Sequence, residues 1–170
     1  NHRSIFDYIG RTRLYDGCFQ SETGLAGDAT FKAKPRDIEQ LSACLAIARP
    51  GSLKYIPDLV KYYHTGERKK LHPQIDEILK DTGNIIIYQE SINDICQQVY
   101  GLSAVDSDEV RRAISKKKRE DIKKWEPVIF EAGESKGIPR DVTKTLWATC
   151  HASADYLFVE AHRLSYAYLA

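Results

Sequence analysis

Only one stretch of this 170-residue chain, Ile85-Ile86-Ile87-Tyr88, has the β-branched run that a strand favours. Four residues cannot found a sheet by themselves, and the segments on either side of them repeat at helical spacing. Ile38, Leu41, Leu45 and Ala48 recur at three- and four-residue intervals behind Pro35, and Arg49-Pro50-Gly51 stops them. Leu53, Ile56, Val60 and Tyr63 follow, with Pro57 in a first turn or at a kink, up to His64-Thr65-Gly66. Ile75, Ile78 and Leu79 make a short helix closed by Gly83, and Ile92, Ile95, Cys96 and Val99 make one closed by Gly101. Ile122, Trp125, Ile129 and Ala132 form another face, with Pro127 as an expected kink. After the Gly137-Ile138-Pro139 break, Val142, Leu146 and Cys150 lead into Tyr156, Phe158, Tyr166 and Tyr168. Near the start, Ile5, Tyr8 and Ile9 suit a short amphipathic helix, whereas 21–34 is Gly- and Ala-rich, lacks a period and reads as a loop. The expectation is an all-α fold: one irregular multi-helix domain over 1–170 with at most one very short strand.

Size and composition narrow the function without naming it. The chain is long enough for a single core, and 42% hydrophobic with 29% charged residues is ordinary for a globular domain. A net charge of +1 means that any polyanion binding must come from locally segregated charge. No apolar run reaches the roughly 18 residues of a membrane span, and no signal-peptide pattern opens the chain. Cys18, Cys44, Cys96 and Cys150 are widely spaced, so free thiols and a cytoplasmic location are expected rather than a disulfide framework. His64, His72, His151 and His162 show no short metal-ligand spacing, and neither a phosphate-binding Gly-rich loop nor a Ser nucleophile elbow is present. The chain lacks Met and starts at Asn1, which suggests a processed chain or a piece of a longer one.

The most segregated charge runs from Asp106 to Trp125. It holds Arg111, Arg112, Lys116, Lys117, Lys118, Arg119, Lys123 and Lys124, about a third of the 25 Lys and Arg residues. On one continuous helix, Arg112, Lys116, Arg119 and Lys123 share a face over roughly 16 Å, the scale of a polyphosphate. A turn at Ser115 and the three lysines would break that face. Arginine suits phosphate better than lysine, because its planar guanidinium offers a fork of donors. On charge alone, a solvated helix face remains the default reading, as it does for Lys54, Lys61, Arg68, Lys69 and Lys70. Asp106-Ser107-Asp108 has the form of a two-metal carboxylate pair, but at a helix start the acids read as caps and first-turn charges.

Several motifs stand in order along the chain: Phe19-Gln20-Ser21-Glu22-Thr23, Leu45-Ala46-Ile47-Ala48-Arg49-Pro50-Gly51-Ser52, Tyr88-Gln89-Glu90, and Arg111-Arg112-Ala113-Ile114-Ser115-Lys116-Lys117-Lys118. Glu131-Ala132-Gly133, Gly137-Ile138 and Tyr156-Leu157-Phe158 with His162 and Tyr166-Ala167-Tyr168 complete the series. In this order the series resembles the fingers of the bacterial family C replicative DNA polymerases, the alpha subunit of DNA polymerase III. The match runs from about Ile5 to Ala170 and is weak over 1–14. The resemblance implies a largely helical module that closes over an incoming deoxynucleoside triphosphate (dNTP) beside primer–template DNA. By similarity, Arg111 and Arg112 grip the triphosphate, while Lys116, Lys117, Lys118 and His162 lie along the nucleic acid. The chemistry would use two Mg²⁺ ions held by palm aspartates of the polymerase remainder, so no catalytic or metal-binding residue is expected in this chain and it should be inactive alone.

Three departures stand out. Val159-Glu160-Ala161 replaces the family's Asn-Lys-Ser before the histidine, Ser52 replaces a proline, and Ser115 replaces the glycine of the basic turn. These changes suit a divergent, phage-type member of the family or the loss of part of its grip. An alternative reading is a stand-alone helical nucleic-acid-binding or protein-interaction module, derived from polymerase fingers, that assembles or competes with a separate polymerase.

Overall fold

The computed structural model of the chain describes residues 3–13, 15, 21–22 and 24–169. Cys18, with Phe19, Gln20 and Thr23 of the first motif, lies outside them. The side chains of Ile9, Ala161 and Tyr166 do so too. The described helices are α1 (Arg3–Thr12), α2 (Gly24–Ala33), α3 (Ile38–Ile47), α4 (Ile56–Thr65), α5 (Pro73–Ile78), α6 (Gln89–Asp94), α7 (Ala104–Ser115), α8 (Arg119–Ser135), α9 (Arg140–Ser153) and α10 (Glu160–Leu169). A π-helical turn, Ile95–Val99, continues α6. The fold is all-α.

Local chemistry explains several of these boundaries. Asp37 caps α3 by accepting from the Gln40 N–H at 2.8 Å. Pro57 sits in the first turn of α4, where its missing N–H leaves no intrahelical bond unmade, so it does not kink the helix. Gly66 ends α4 at φ 73°, a conformation that costs a side chain dearly. Pro127 lies inside α8, which runs through it from Arg119 to Ser135.

Two expectations need correction. Residues 24–33 are helix, not loop, and the buried face of α2 is Ala26, Gly27, Ala29, Thr30 and Ala33. Small side chains give almost no hydrophobic period, yet they let α2 wedge between α3 and α4. A Cβ on Gly27 would lie 3.0 Å from the Ser21 carbonyl oxygen and 3.1 Å from the Tyr15 ring. The apolar face of α1 is the second correction. Phe6 packs inward, but Ile5 and Tyr8 are 55% and 54% exposed.

The β-branched run at 85–88 forms no sheet and has a different use. It is an extended, buried segment threaded between two cores, and over 85–87 its period of two sends Ile86 to one side and Ile85 and Ile87 to the other. Ile86 joins α5–α9 in one core, with Ile92, Val110, Ile114, Trp125, Ile129 and Leu146. Ile85, Ile87 and Tyr88 join Cys44, Ile47, Leu59 and Tyr63 of α3 and α4 in the other. Leu157 and Phe158 split between the same two cores. They lie parallel to the run through a single bridge, in which Phe158 N donates to Ile87 O and Gln89 N donates to Phe158 O, both at 2.9 Å. A smaller cluster joins α2, α3 and α10 through Ala26, Leu41, Leu45 and Ala167. Cys44, Cys96 and Cys150 are buried free thiols, and burial pushes Cys96 up to about 12.

Candidate functional site

The basic stretch folds as two helices around a tight turn, which removes the single continuous cationic face. Helix α7 ends at Ser115; Lys117 N donates to Ile114 O and Lys118 N to Ala113 O, both at 3.0 Å. This is the hydrogen-bond pattern of a Schellman stop, with Lys117 in the left-handed position at φ 51°. The turn sends Lys117 to an ion pair with Asp155, while Lys118 meets Asp121 at 3.6 Å. Lys116, Arg112 and Lys118 line one shallow depression with Glu109, Asp121 and Lys124.

The acids that open α7 divide their work. Ser103, rather than either acid, caps the helix: the Asp106 N–H donates to Ser103 Oγ at 3.1 Å, and Ser103 Oγ donates to Asp106 Oδ2 at 2.7 Å. Asp108 is no cap. Its Oδ1 accepts from Arg111 Nε at 2.9 Å and Nη2 at 2.6 Å, and its Oδ2 lies 2.7 Å from Arg112 Nε. Hydrogen bonding from Arg111, then the two positive charges, hold the Asp108 carboxyl below the usual carboxylate range. One carboxylate at i therefore sets two guanidinium groups at i+3 and i+4 side by side. Arg111 is the inner of the two, 21% exposed against 64% for Arg112.

A third bond to Arg111 comes from across the fold. Arg111 Nη1 donates to Gln89 Oε1 at 2.6 Å, so the side chain is held at both ends. Gln89 begins α6 directly after the extended run, and its neighbour Glu90 accepts from the Glu160 N–H at 2.9 Å, capping α10. Tyr88-Gln89-Glu90 thus ties the arginine pair to the last motif. Within that motif, the ring of the exposed His162 meets Phe158 edge-on at 5.3 Å between centroids. The fold links Arg111, Arg112 and His162 through Gln89 and Phe158, whereas Lys117 turns aside to Asp155. The replaced Lys of the family pattern is Glu160, whose charge helps raise Asp94, burial being the larger cause.

A family model for the bacterial DNA polymerase III alpha subunit finger domain matches residues 1–137. The chain belongs to this family. DNA polymerase III subunit alpha of Halalkalibacterium halodurans is 33% identical over 155 residues, covering 91% of this chain and 14% of that protein. The Staphylococcus aureus subunit is likewise 33% identical over 155 residues, and that of Staphylococcus epidermidis is 32% identical over 169 residues, or 99% of this chain. The chain spans about a seventh of the length of these relatives. Fingers of this family thus belong to a larger polymerase.

Sequence reasoning about the fingers missed Asp108 as a clamp, although an acid three and four residues before two arginines carries that signal. It named Gln89 and Glu90 as a motif without a role, because their partners lie 22 and 70 residues away. Among the described residues no helix is long and apolar enough to cross a membrane.

Proposed function

We propose that this finger domain binds the triphosphate of an incoming dNTP through Arg111 and Arg112. In this reading, primer–template DNA runs past Lys116, Lys117, Lys118 and His162, in the cytoplasm. The observation that carries it is the shared Asp108 clamp. Two guanidinium groups are fixed before any ligand arrives, so little reorganisation opposes their action on charge that spreads over the departing pyrophosphate. Arg111 acts as the braced inner member, while the terminal amino groups of Arg112 have no partner among the described residues and present the fork outward. The lysines add sequence-independent, salt-sensitive attraction, and their pairing with Asp155 and Asp121 limits it.

The Mg²⁺ ions implied by polymerase chemistry do not fit the carboxylates of this stretch. Asp106 is engaged by Ser103 and Asp108 by two arginines, and the described residues form no three-ligand cluster. The palm carboxylates of the remaining polymerase are the proposed holders. Primer extension with Mg²⁺ by this chain alone is expected to be nil; robust extension would overturn the reading. Arg111→Ala with Arg112→Ala is expected to weaken tripolyphosphate binding about tenfold or more, from the loss of charge-assisted bonds. Equal affinity for both proteins in a fluorescence titration would remove the assignment.

A further inference from the structure

The turn after α3 carries a cation with no place in the site described above. The guanidinium carbon of Arg49 lies 3.9 Å from the centroid of Phe158, over the ring face, and the side chain is half-buried. Among the described residues no carboxylate pairs with it and no side chain or carbonyl accepts from its guanidinium. Arg111, Arg112, Lys117 and Lys118 all have carboxylate partners. A half-desolvated cation without a counter-charge costs free energy, and burial lowers its pKa accordingly. The aromatic face offsets some of that cost, but it satisfies none of the five N–H donors, which lie in the guanidinium plane.

The turn is built to hold this geometry. Arg49 N donates to Ile47 O at 2.8 Å, and Arg49 O accepts from Ser52 N at 3.0 Å and Leu53 N at 3.1 Å. Ser52, where the family pattern has proline, supplies an N–H that proline lacks, and its buried hydroxyl donates to Ile47 O at 2.9 Å. Gly51 lies against Tyr156, so close that a Cβ would stand 3.2 Å from that side chain. The location matters as much as the charge. Phe158, beneath Arg49, accepts from Gln89 N at 2.9 Å, and Gln89 Oε1 accepts from Arg111 Nη1 at 2.6 Å. The same ring also meets His162.

We propose that Arg49 is a third phosphate-binding residue of this surface, its donor edge taking a phosphate group beside the one held by Arg111 and Arg112. The proposal rests on the reading of that pair as a phosphate grip. It assigns to the Arg49-Pro50-Gly51-Ser52 turn the task of presenting a stacked, uncompensated guanidinium. The phosphate can belong to a nucleotide's triphosphate or to a nucleic-acid backbone, and two probes separate these sources.

The test titrates this chain with tripolyphosphate and with a labelled primer–template over a range of salt. Arg49→Ala is expected to weaken binding of at least one probe about tenfold, and to lower the log–log salt slope by roughly 0.7–0.9 for a backbone phosphate. Arg49→Lys keeps the charge without the fork and should lie between Arg49→Ala and the unmodified chain, with unchanged helical circular dichroism. Loss with tripolyphosphate alone assigns the triphosphate, and loss with DNA alone assigns the backbone. If Arg49→Ala does not fold, Arg49→Gln and Arg49→Lys decide. Unchanged affinity for both probes in every folded Arg49 variant overturns the proposal, and it overturns this proposal alone if Arg111→Ala with Arg112→Ala still weakens binding.

Discussion

At the scale of single residues, this chain places charge by pairing it. Asp108 arranges two arginines, and the lysines beyond the turn mostly meet acids of their own. Lys117 carries a conformational penalty at φ 51°, where the family pattern offers no glycine at this position. Lys117→Gly is expected to stabilise the fold by about 0.5–1 kcal/mol, since glycine is the favoured residue in the left-handed stop. A lower midpoint in urea unfolding would show that the Asp155 pair outweighs the backbone. Asp94 makes the opposite case, a carboxyl raised by burial first, then by Glu160, with Gln98 pulling it down and Glu90 adding to the rise. Its ionised form is disfavoured in the fold, so its cost is absent below the ordinary carboxylate pKa and complete once the pH exceeds the raised value. Asp94→Asn should therefore raise the thermal midpoint at pH 7 and leave it nearly unchanged near pH 3.5. The same gain at both values would mean that titration is not its source.

Close approach governs the elements. Helix α8 meets α9 at Gly133, where a Cβ would stand 2.8 Å from Thr143 Oγ1 and 3.2 Å from the Tyr100 ring. Gly133 O also accepts from Ile138 N at 2.9 Å, anchoring the turn between the two helices. Gly133→Ala is expected to destabilise by about 1–3 kcal/mol, the usual cost of overpacking, despite alanine's better helix propensity. A neutral or stabilising result in denaturant unfolding would show that Thr143 can rotate away freely. The π turn after α6 is a further element-scale feature: Tyr100 N donates to Ile95 O at 3.3 Å and Leu102 N to Cys96 O at 3.0 Å. It widens the helix just before the loop that leads into the arginine helix, α7.

At the scale of the whole molecule, the two larger cores are joined by the extended run, and this joint makes them interdependent. Ile86 and Ile87 are consecutive, fully buried, and committed to different cores. Ile87→Ala should cost about 2–5 kcal/mol through lost burial and the cavity left behind. The domain should still unfold in one transition, with circular dichroism and tryptophan fluorescence coincident, because neither of these two cores can open without releasing the shared segment. Two separated transitions would refute that coupling. The joint is also what positions the site. Tyr88 to Glu90 leave the run to brace Arg111 on one side and cap α10 on the other.

The sequence by itself determined the all-α class, several helix stops and the family, and it offered a turn at Ser115 as one of two readings, because capping, proline, glycine and periodicity act within a few residues. It placed Arg111 and Arg112 together because they are adjacent, and an acid at i with arginines at i+3 and i+4 was open to the same local reasoning. It did not reveal α2, whose buried face is made of small residues that carry little hydrophobic signal. The exposure of Ile5 and Tyr8 was equally hidden, since a helical period shows that a face exists and not what covers it. Only the tertiary structure decided that a β-branched run would lie between separate cores, and that Gln89 would hold an arginine 22 residues away. It alone set Arg49 on Phe158, 109 positions further on (158 − 49). Such contacts follow from how helices pack, which no local pattern encodes.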